Sequence, residues 1–264
     1  MEQIKVLREK TGAGMVECKK ALDEAGGDLE KAVEILRKKG IAKAAKRTER
    51  EASEGLVLLA VNEAGNEGYI VEINSETDFV ARNEKSQEFG QKVLALIKDN
   101  KPADLDALFA LSLDGLSVKD TLDNLSGTIG EKLGINQFAI LTGATVSSYS
   151  HLGGRIGVLV ALNEAGKAEL ATDIAMQVAA ANPRYLSPAE VSAEEIAKEK
   201  EIYREQLLKE GKPEQMIEKI AEGKINKYYS EVCLLKQEYI KDDKKTVENI
   251  LGSTKIEKFI RYSL

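Results

Sequence analysis

Apolar positions along this chain of 264 residues follow two different periods. Near the start the spacing is helical: Ile4, Val6 and Leu7 lie on a first short helix over 2–10, Met15, Cys18, Leu22 and Ala25 on a second, and Leu29, Ala32, Val33 and Leu36 on a third. Gly12 suits a left-handed cap after the first helix, Gly26-Gly27 end the second, and Asp28 caps the third. None is long enough to stand alone, so the three share one small core. In the body the apolar runs shorten and become β-rich. Leu56 to Leu59, Tyr69 to Ile73 and Ile156 to Val160 read as strands. Two helices carry Phe89, Val93, Leu94 and Ile97, and Leu170, Ile174, Val178 and Ala181, the second closed by Asn182-Pro183. Ser117 caps a further helix, with Val118, Leu122, Leu125, Ile129 and Leu133 along one face and Gly134 at its end. Gly127 and Gly130 interrupt it at a cost of roughly 1 kcal/mol each, which leaves either a close approach by another backbone or plain tolerance.

A repeat organises the body: Ala60-Val61-Asn62-Glu63-Ala64-Gly65 returns as Ala161-Leu162-Asn163-Glu164-Ala165-Gly166, each after an apolar strand run. Two related α+β halves with small antiparallel sheets follow from it. From Ser187 the composition turns highly charged. Ser192-Ala193-Glu194-Glu195 reads as a capping box opening a helix to Glu210, with Ile196, Tyr203 and Leu207 on one side. Gly211-Lys212-Pro213 turns the chain into a returning helix carrying Met216, Ile217, Ile220, Ala221, Ile225 and Tyr228. This is a coiled-coil hairpin inserted in the second half, and its unsatisfied apolar positions, such as Ile202 and Tyr229, point to self-association or docking. Val232 to Ile240 and Ile256 to Leu264 read as strands, with a short helix over Val247, Ile250 and Leu251 between them. The expected fold class is α+β: a bundle and basic linker over 1–52, a first core half over 53–142, a second over 143–186 plus 230–264, and the hairpin over 187–229.

Net charge is −6, which argues against a general nucleic-acid binder. A basic run of Arg37, Lys38, Lys39, Lys43, Lys46, Arg47 and Arg50 lacks interleaved aromatics; it reads as a solvated linker before a nucleic-acid contact. Two cysteines, Cys18 and Cys233, with no Cys-x-x-Cys pair suggest neither a disulfide framework nor a zinc site, and a reducing, cytoplasmic setting fits. No signal-peptide core or membrane-spanning run is apparent. The single His151 leaves no catalytic triad, and no phosphate loop, dinucleotide fingerprint or zinc-protease motif occurs. An enzyme is therefore not expected, and neither is a cofactor or bound metal.

One corner stands out. After the strand run, Ser75-Glu76-Thr77-Asp78-Phe79-Val80-Ala81-Arg82-Asn83 sets an aromatic beside a carboxylate just before a helix. Read locally, Phe79 turns into the core and Asp78 caps the helix. Alternatively, the corner is a wedge presented to a partner.

The stretch Thr11-Gly12-Ala13 with Ala21-Leu22 and Gly27-Asp28-Leu29-Glu30-Lys31-Ala32-Val33 resembles ubiquitin-associated-type bundles, which are protein-docking modules. More specifically, Leu7 to Leu22 and Glu72 to Arg82 resemble the two signature motifs of the bacterial and organellar elongation factor Ts family. The likeness continues through Ile129-Gly130-Glu131, Tyr149-Ser150-His151, Gly154-Arg155-Ile156-Gly157, Gly211-Lys212-Pro213 and Phe259-Ile260-Arg261-Tyr262. The resemblance implies guanine-nucleotide exchange on elongation factor Tu. It assigns Arg8, Met15 and Val16 to docking, with valine at a position often methionine in relatives. Thr77, Asp78, Phe79 and Val80 form the intruding corner, Ile129 and Gly130 a supporting contact, and His151 a contact from the second half. It turns the reading of Phe79 outward, with Val80 anchoring the corner. Many relatives carry a further C-terminal helical module beyond the position of Leu264. A homodimer, a 2:2 complex with the partner, or neither remains open for the hairpin. The runner-up function is a non-exchange scaffold joining two proteins through bundle and hairpin.

Overall fold

A computed structural model describes residues 2–45, 47 and 49–264, with the side chains at 41 and 43–45 left out. Eleven α-helices and ten strands occur among these residues. The first three helices, α1 (Glu2–Thr11), α2 (Met15–Glu24) and α3 (Leu29–Ala45), pack around Leu7, Cys18, Ala21, Leu22 and Ala32. Asp28 caps α3 by accepting from the Glu30 and Lys31 amides at 3.0 and 3.1 Å. Then come β1 (Glu54–Val61), β2 (Glu67–Ser75), the four-residue α4 (Asp78–Ala81), α5 (Glu84–Asn100) and α6 (Leu105–Ala110). A two-residue ribbon, β3 (Ser112–Leu113) with β4 (Leu116–Ser117), leads to α7 (Val118–Ile129) and β5 (Leu133–Thr142). The remainder is β6 (Thr145–His151), β7 (Ile156–Leu162), α8 (Ala168–Ala181), the hairpin α9 (Ala193–Lys209) and α10 (Glu214–Val232), β8 (Glu238–Tyr239), β9 (Asp242–Thr246), α11 (Val247–Leu251) and β10 (Ile256–Ser263).

Two three-stranded antiparallel sheets result, ordered β1-β2-β5 and β10-β7-β6. Side chains alternate along each strand, and both middle strands use both faces. From β2, Tyr69, Val71 and Ile73 meet Phe89, Val93 and Ile97 of α5 and Val118 and Leu122 of α7. Its opposite face, with Ile70, joins Val57 and Leu141 against Val146, Leu159 and Ala161 of the second sheet. From β7, Val158, Val160 and Leu162 pack under Ala171, Ile174 and Val178 of α8. The layers are thus helix, sheet, sheet, helix. Burial on both faces explains why β2 and β7 read as continuous apolar runs rather than alternating ones. Each fully buried aliphatic side chain here contributes about 1.5–3 kcal/mol.

The sheets repeat one plan. In the first, a hairpin β1-β2 leads to α5 and a returning β5; in the second, β6-β7 leads to α8 and a returning β10. The Asn-Glu-Ala-Gly sequence repeat is out of phase with that plan. Asn62 closes the β1-β2 hairpin by accepting from the Asn66 and Glu67 amides, whereas Asn163 stands at the strand-to-helix corner and accepts from the Lys255 amide at 2.7 Å. The counterpart of the second copy is therefore the Ser75–Asn83 corner.

Several elements differ from the sequence expectation. The basic run is helical as far as Ala45 and packs along α7, because Gly40 and Gly127 let the two backbones meet. A Cβ on Gly127 would lie 2.7 Å from the Gly40 Cα, so the interior glycine reflects a close backbone approach. Its charges are paired within the chain: Arg37 with Asp120 at 2.7 Å, Lys39 with Glu24, and Arg50 with Glu76 at 3.1 Å. Lys46 and the Lys43 side chain lie outside the described residues. α7 ends at Ile129, where Gly130 takes φ 94°, and Leu133 opens β5 instead of continuing the helix. The expected strand over Val232 to Ile240 is the end of α10, a 3-10 turn and the two residues of β8. Ser192 caps α9, but Glu195 does not complete a capping box; it accepts from Tyr185 at 2.6 Å and Tyr228 and pairs with Arg184 at 3.1 Å. Burial, with the Glu195 carboxylate beside it, pushes the Tyr228 phenol up to about 12. Tyr229 packs into this hairpin base with Val191 and Cys233, while Ile202, Leu208 and Met216 stay exposed along the arms. Cys18 and Cys233 are buried free thiols.

A cavity of about 730 Å³ opens between the bundle and α7, walled in part by Val33, Leu36 and Leu116, away from the Phe79 corner. Among the described residues no helix is long and apolar enough to cross a membrane.

Candidate functional site: the corner after β2

The β2 strand ends at Ser75, and four residues later the chain is in a single helical turn. Thr77, in extended conformation, caps α4 by accepting from the Val80 amide at 3.4 Å; Asn83 caps α5 by accepting from the Lys85 amide at 3.0 Å. Two caps within seven residues make a rigid double bend rather than a loop. Thr77, and not Asp78, fills the capping role. Asp78 instead sits in the first turn, half-exposed, with Arg82 at 3.3 Å. Val80 is buried in the cluster of Val71, Ile73 and Phe89, and Phe79 points the other way with 83% of its surface exposed. An apolar side chain so exposed, on a segment whose neighbour is buried, is oriented by the backbone rather than left over from folding.

What holds the bend is the turn after α7. The Glu131 carboxylate accepts from the Thr77 amide at 3.1 Å and from the Thr77 hydroxyl at 2.9 and 3.1 Å. The Ser126 hydroxyl donates to the Glu131 carbonyl at 2.6 Å, and the Ser75 hydroxyl donates to the Thr77 carbonyl at 2.8 Å. Glu76 accepts from the Lys132 amide at 2.6 Å and from Arg50. The Lys132 amide, followed by the Arg50 guanidinium, holds the Glu76 carboxyl below the usual carboxylate range against the opposing effect of burial. Of these supports, only Glu131 stands out in the sequence, inside the Ile129-Gly130-Glu131 likeness, and no local pattern gives Ser126, Glu76 or Arg50 a role at the corner. The signal was faint, since a carboxylate fifty residues from its partner carries no local pattern.

Behind the corner lies a second polar arrangement. The register of β2 and β5 shifts between Glu72 and Ile73, leaving Asn136 as the extra residue. The buried Glu72 carboxylate accepts from Asn74 at 2.9 Å, Asn136 at 3.3 Å and Gln137 at 2.7 Å. This bulge fixes the end of β2 from which the corner springs.

The other candidate residues fall into three places. Ile129 is half-buried against the first core and Gly130 is the left-handed cap beside Glu131, so both belong to the corner's supporting turn. Arg8, Met15 and Val16 are exposed on the bundle, Met15 by 54% and Val16 by 68%. The α1–α2 turn rests against the ends of two core helices: a side chain at Gly12 would meet the Lys85 ammonium at 2.5 Å and the Thr128 methyl at 3.2 Å. The bundle's exposed edge is thereby brought to the same helix ends that border the corner. His151 ends β6 on the second sheet, its ring stacked on Tyr149 at 5.8 Å with Nδ1 3.2 Å from the Tyr149 hydroxyl. Beside it Leu152 is 64% exposed at φ 51°, and Arg155 pairs with Glu54 at 2.5 Å. Glu54 holds the Arg155 guanidinium above its ordinary range, and a smaller influence of Asp78 brings the corner's charge within electrostatic reach of this turn.

The arrangement has no nucleophile, base and orienting group in sequence, and among the described residues no group of three or more His, Cys, Asp or Glu is placed to hold a metal ion. Its chemistry is that of a presented aromatic and a carboxylate on a braced support. The sequence profile described as Elongation factor TS matches residues 76–264, beginning at Glu76 of the braced corner and running through both sheets and the hairpin. With more than two-thirds of its length in that match, the chain belongs to the elongation factor Ts family of translation factors.

Proposed function

We propose that this chain is a guanine-nucleotide exchange factor for elongation factor Tu, acting in the cytoplasm during translation elongation by binding alone. The observation that carries the reading is Phe79, 83% exposed on a twice-capped bend beside Asp78. Arg8, Met15 and Val16 dock the bundle on the partner's nucleotide-binding domain, His151 makes a second contact from the other sheet, and Ile129 and Gly130 line the support between them. Docking then drives Phe79 between partner elements beside the magnesium and phosphate site.

Magnesium keeps near-ideal octahedral geometry at 2.0–2.1 Å, so a displacement of the segments holding its water and phosphate ligands by a fraction of an ångström weakens it sharply. Phe79 supplies the displacement, and Asp78 competes for the hydrogen-bond donors that order the metal shell. Factor and nucleotide favour different states of the partner, so each weakens the other by the same factor, and incoming nucleotide expels the exchange factor. No bond is made or broken.

Release of a fluorescent GDP from elongation factor Tu, followed by stopped flow, tests this. Asp78→Ala with Phe79→Ala is expected to lower the release rate at saturating factor by about thirtyfold or more, the size of a central interface anchor. A double variant that releases GDP as fast as the unaltered chain, while still binding the partner, leaves the scaffold reading in its place.

A further inference from the structure

We infer that Glu131 is a positioning residue for the exchange corner, setting the depth and direction of Phe79 without touching the partner's nucleotide site. The inference rests on the exchange reading above and adds to it the element that makes the corner stiff enough to push. A wedge that yields when it meets resistance stores nothing in its target, so its support must be braced against the body of the protein.

Three features single out Glu131. Both its carboxylate oxygens are engaged by Thr77, through the amide at 3.1 Å and the hydroxyl at 2.9 and 3.1 Å, so one side chain fixes both the backbone and the cap of α4. Its own backbone is fixed in turn: Ser126 donates to its carbonyl, and Gly130 before it is locked in the left-handed region with its amide on the Ser126 carbonyl at 2.9 Å. The same turn also carries the bundle, since Arg47 donates to the Ser126 carbonyl at 3.2 Å and Gly127 lies against Gly40 one turn earlier. Hydrogen bonds to an ionised carboxylate are roughly twice as strong as neutral ones, which suits a strut. The docking surface and the wedge are therefore referenced to one short turn, and Glu131 is the side chain that carries that reference to Phe79.

Glu131→Ala, made in the unaltered chain and again in Phe79→Ala, gives the test. Hydrogen exchange at the amides of residues 77–81 reads the brace directly; it is expected to speed up by about tenfold or more, while the amides of α5 from Phe89 to Ile97 keep their protection. In the nucleotide-release assay the maximal rate is expected to fall about tenfold, with the half-saturating concentration of factor unchanged within about twofold, because Arg8, Met15 and Val16 are untouched. Glu131→Gln, which keeps one acceptor oxygen, recovers part of the rate. In the Phe79→Ala background the Glu131 change costs about threefold or less, the part that acts through Asp78, because most of its effect runs through Phe79. Unchanged protection at 77–81 overturns the inference, and so does an equal loss of rate with and without Phe79. A Phe79→Ala chain that exchanges like the unaltered one overturns the wedge reading instead, and that result is visible without any change at Glu131.

Discussion

The two strand-to-helix corners of the sheets occupy the same place in the same plan and do different things. After β7 the chain turns through Asn163-Glu164-Ala165-Gly166 into α8; Asn163 and Glu164 accept from Lys255 and Thr254, so the corner is sewn to the two residues that lead into the strand completing its own sheet. After β2 the chain spends eight residues on the way to α5, inserts the extra turn α4, and is braced by the Glu131 carboxylate and the Lys132 amide from just beyond the end of α7. One corner closes a fold. The other has its backbone tied down as firmly but turns its largest side chain to solvent. On the exchange reading, the contrast is how a repeated architecture acquires a function: supporting hydrogen bonds are kept at both corners, and only the first of two adjacent apolar side chains, Phe79 before buried Val80, departs from the rule that apolar groups go inside.

Leu159, fully buried between the sheets, belongs to both layers, so Leu159→Ala is expected to destabilise the chain by about 3–5 kcal/mol in chemical denaturation, with one transition for both layers. Two separated transitions would mean that the layers fold independently and that the corner borrows nothing from the second sheet. Val80→Ala is expected to cost about 2 kcal/mol and to slow nucleotide release as well, since it loosens the anchor under Phe79. Ala165→Ser at the equivalent corner should leave release unchanged. Gly130→Ala forces a side chain to φ 94° and is expected to cost about 1–2 kcal/mol, read as a lowered thermal midpoint.

The smallest effect is in acid. Glu76 has its carboxyl held below the ordinary value of about 4.3, so its contribution to stability is complete above that value and is lost as pH falls through the lower, folded one. The difference in thermal midpoint between the unaltered chain and Glu76→Gln is therefore expected at pH 7 and to shrink progressively below about pH 4. A difference that persists undiminished into acid would show that the Lys132 amide and Arg50 do not hold the charged form.

Much of this was legible in the residues and some could not be. The runs of β2 and β7, the caps at Asp28, Ser117 and Ser192, the helix stop at Asn182-Pro183 and the inward face of α5 all appear because local spacing and burial agree there. The apolar spacing shows α3 only as far as Leu36, because its last two turns are stabilised by packing on α7 and by Asp120, partners eighty residues away. Strands β5 and β6 leave no clear pattern in the sequence. In β5 the alternation is broken at the Asn136 bulge, and in β6 the sequence Thr145-Val-Ser-Ser-Tyr-Ser-His151 is mostly polar although its first three residues are buried. The repeat pointed to two halves but mispaired them, since an Asn-Glu-Ala-Gly turn suits a hairpin and a helix entrance equally. At the candidate site, the corner itself is written in the sequence, but its brace is not, because Glu131 acts through a tertiary contact.

On the exchange reading, the β2 corner, and not its counterpart, carries the exchange, chiefly through Phe79. Single-turnover release of fluorescent GDP from elongation factor Tu, with Phe79→Ala and Lys167→Ala measured side by side at saturating factor, tests it most directly. The expected result is a rate lowered by about tenfold or more for Phe79→Ala and an unaltered rate for Lys167→Ala. Equal rates for the two variants would contradict the account.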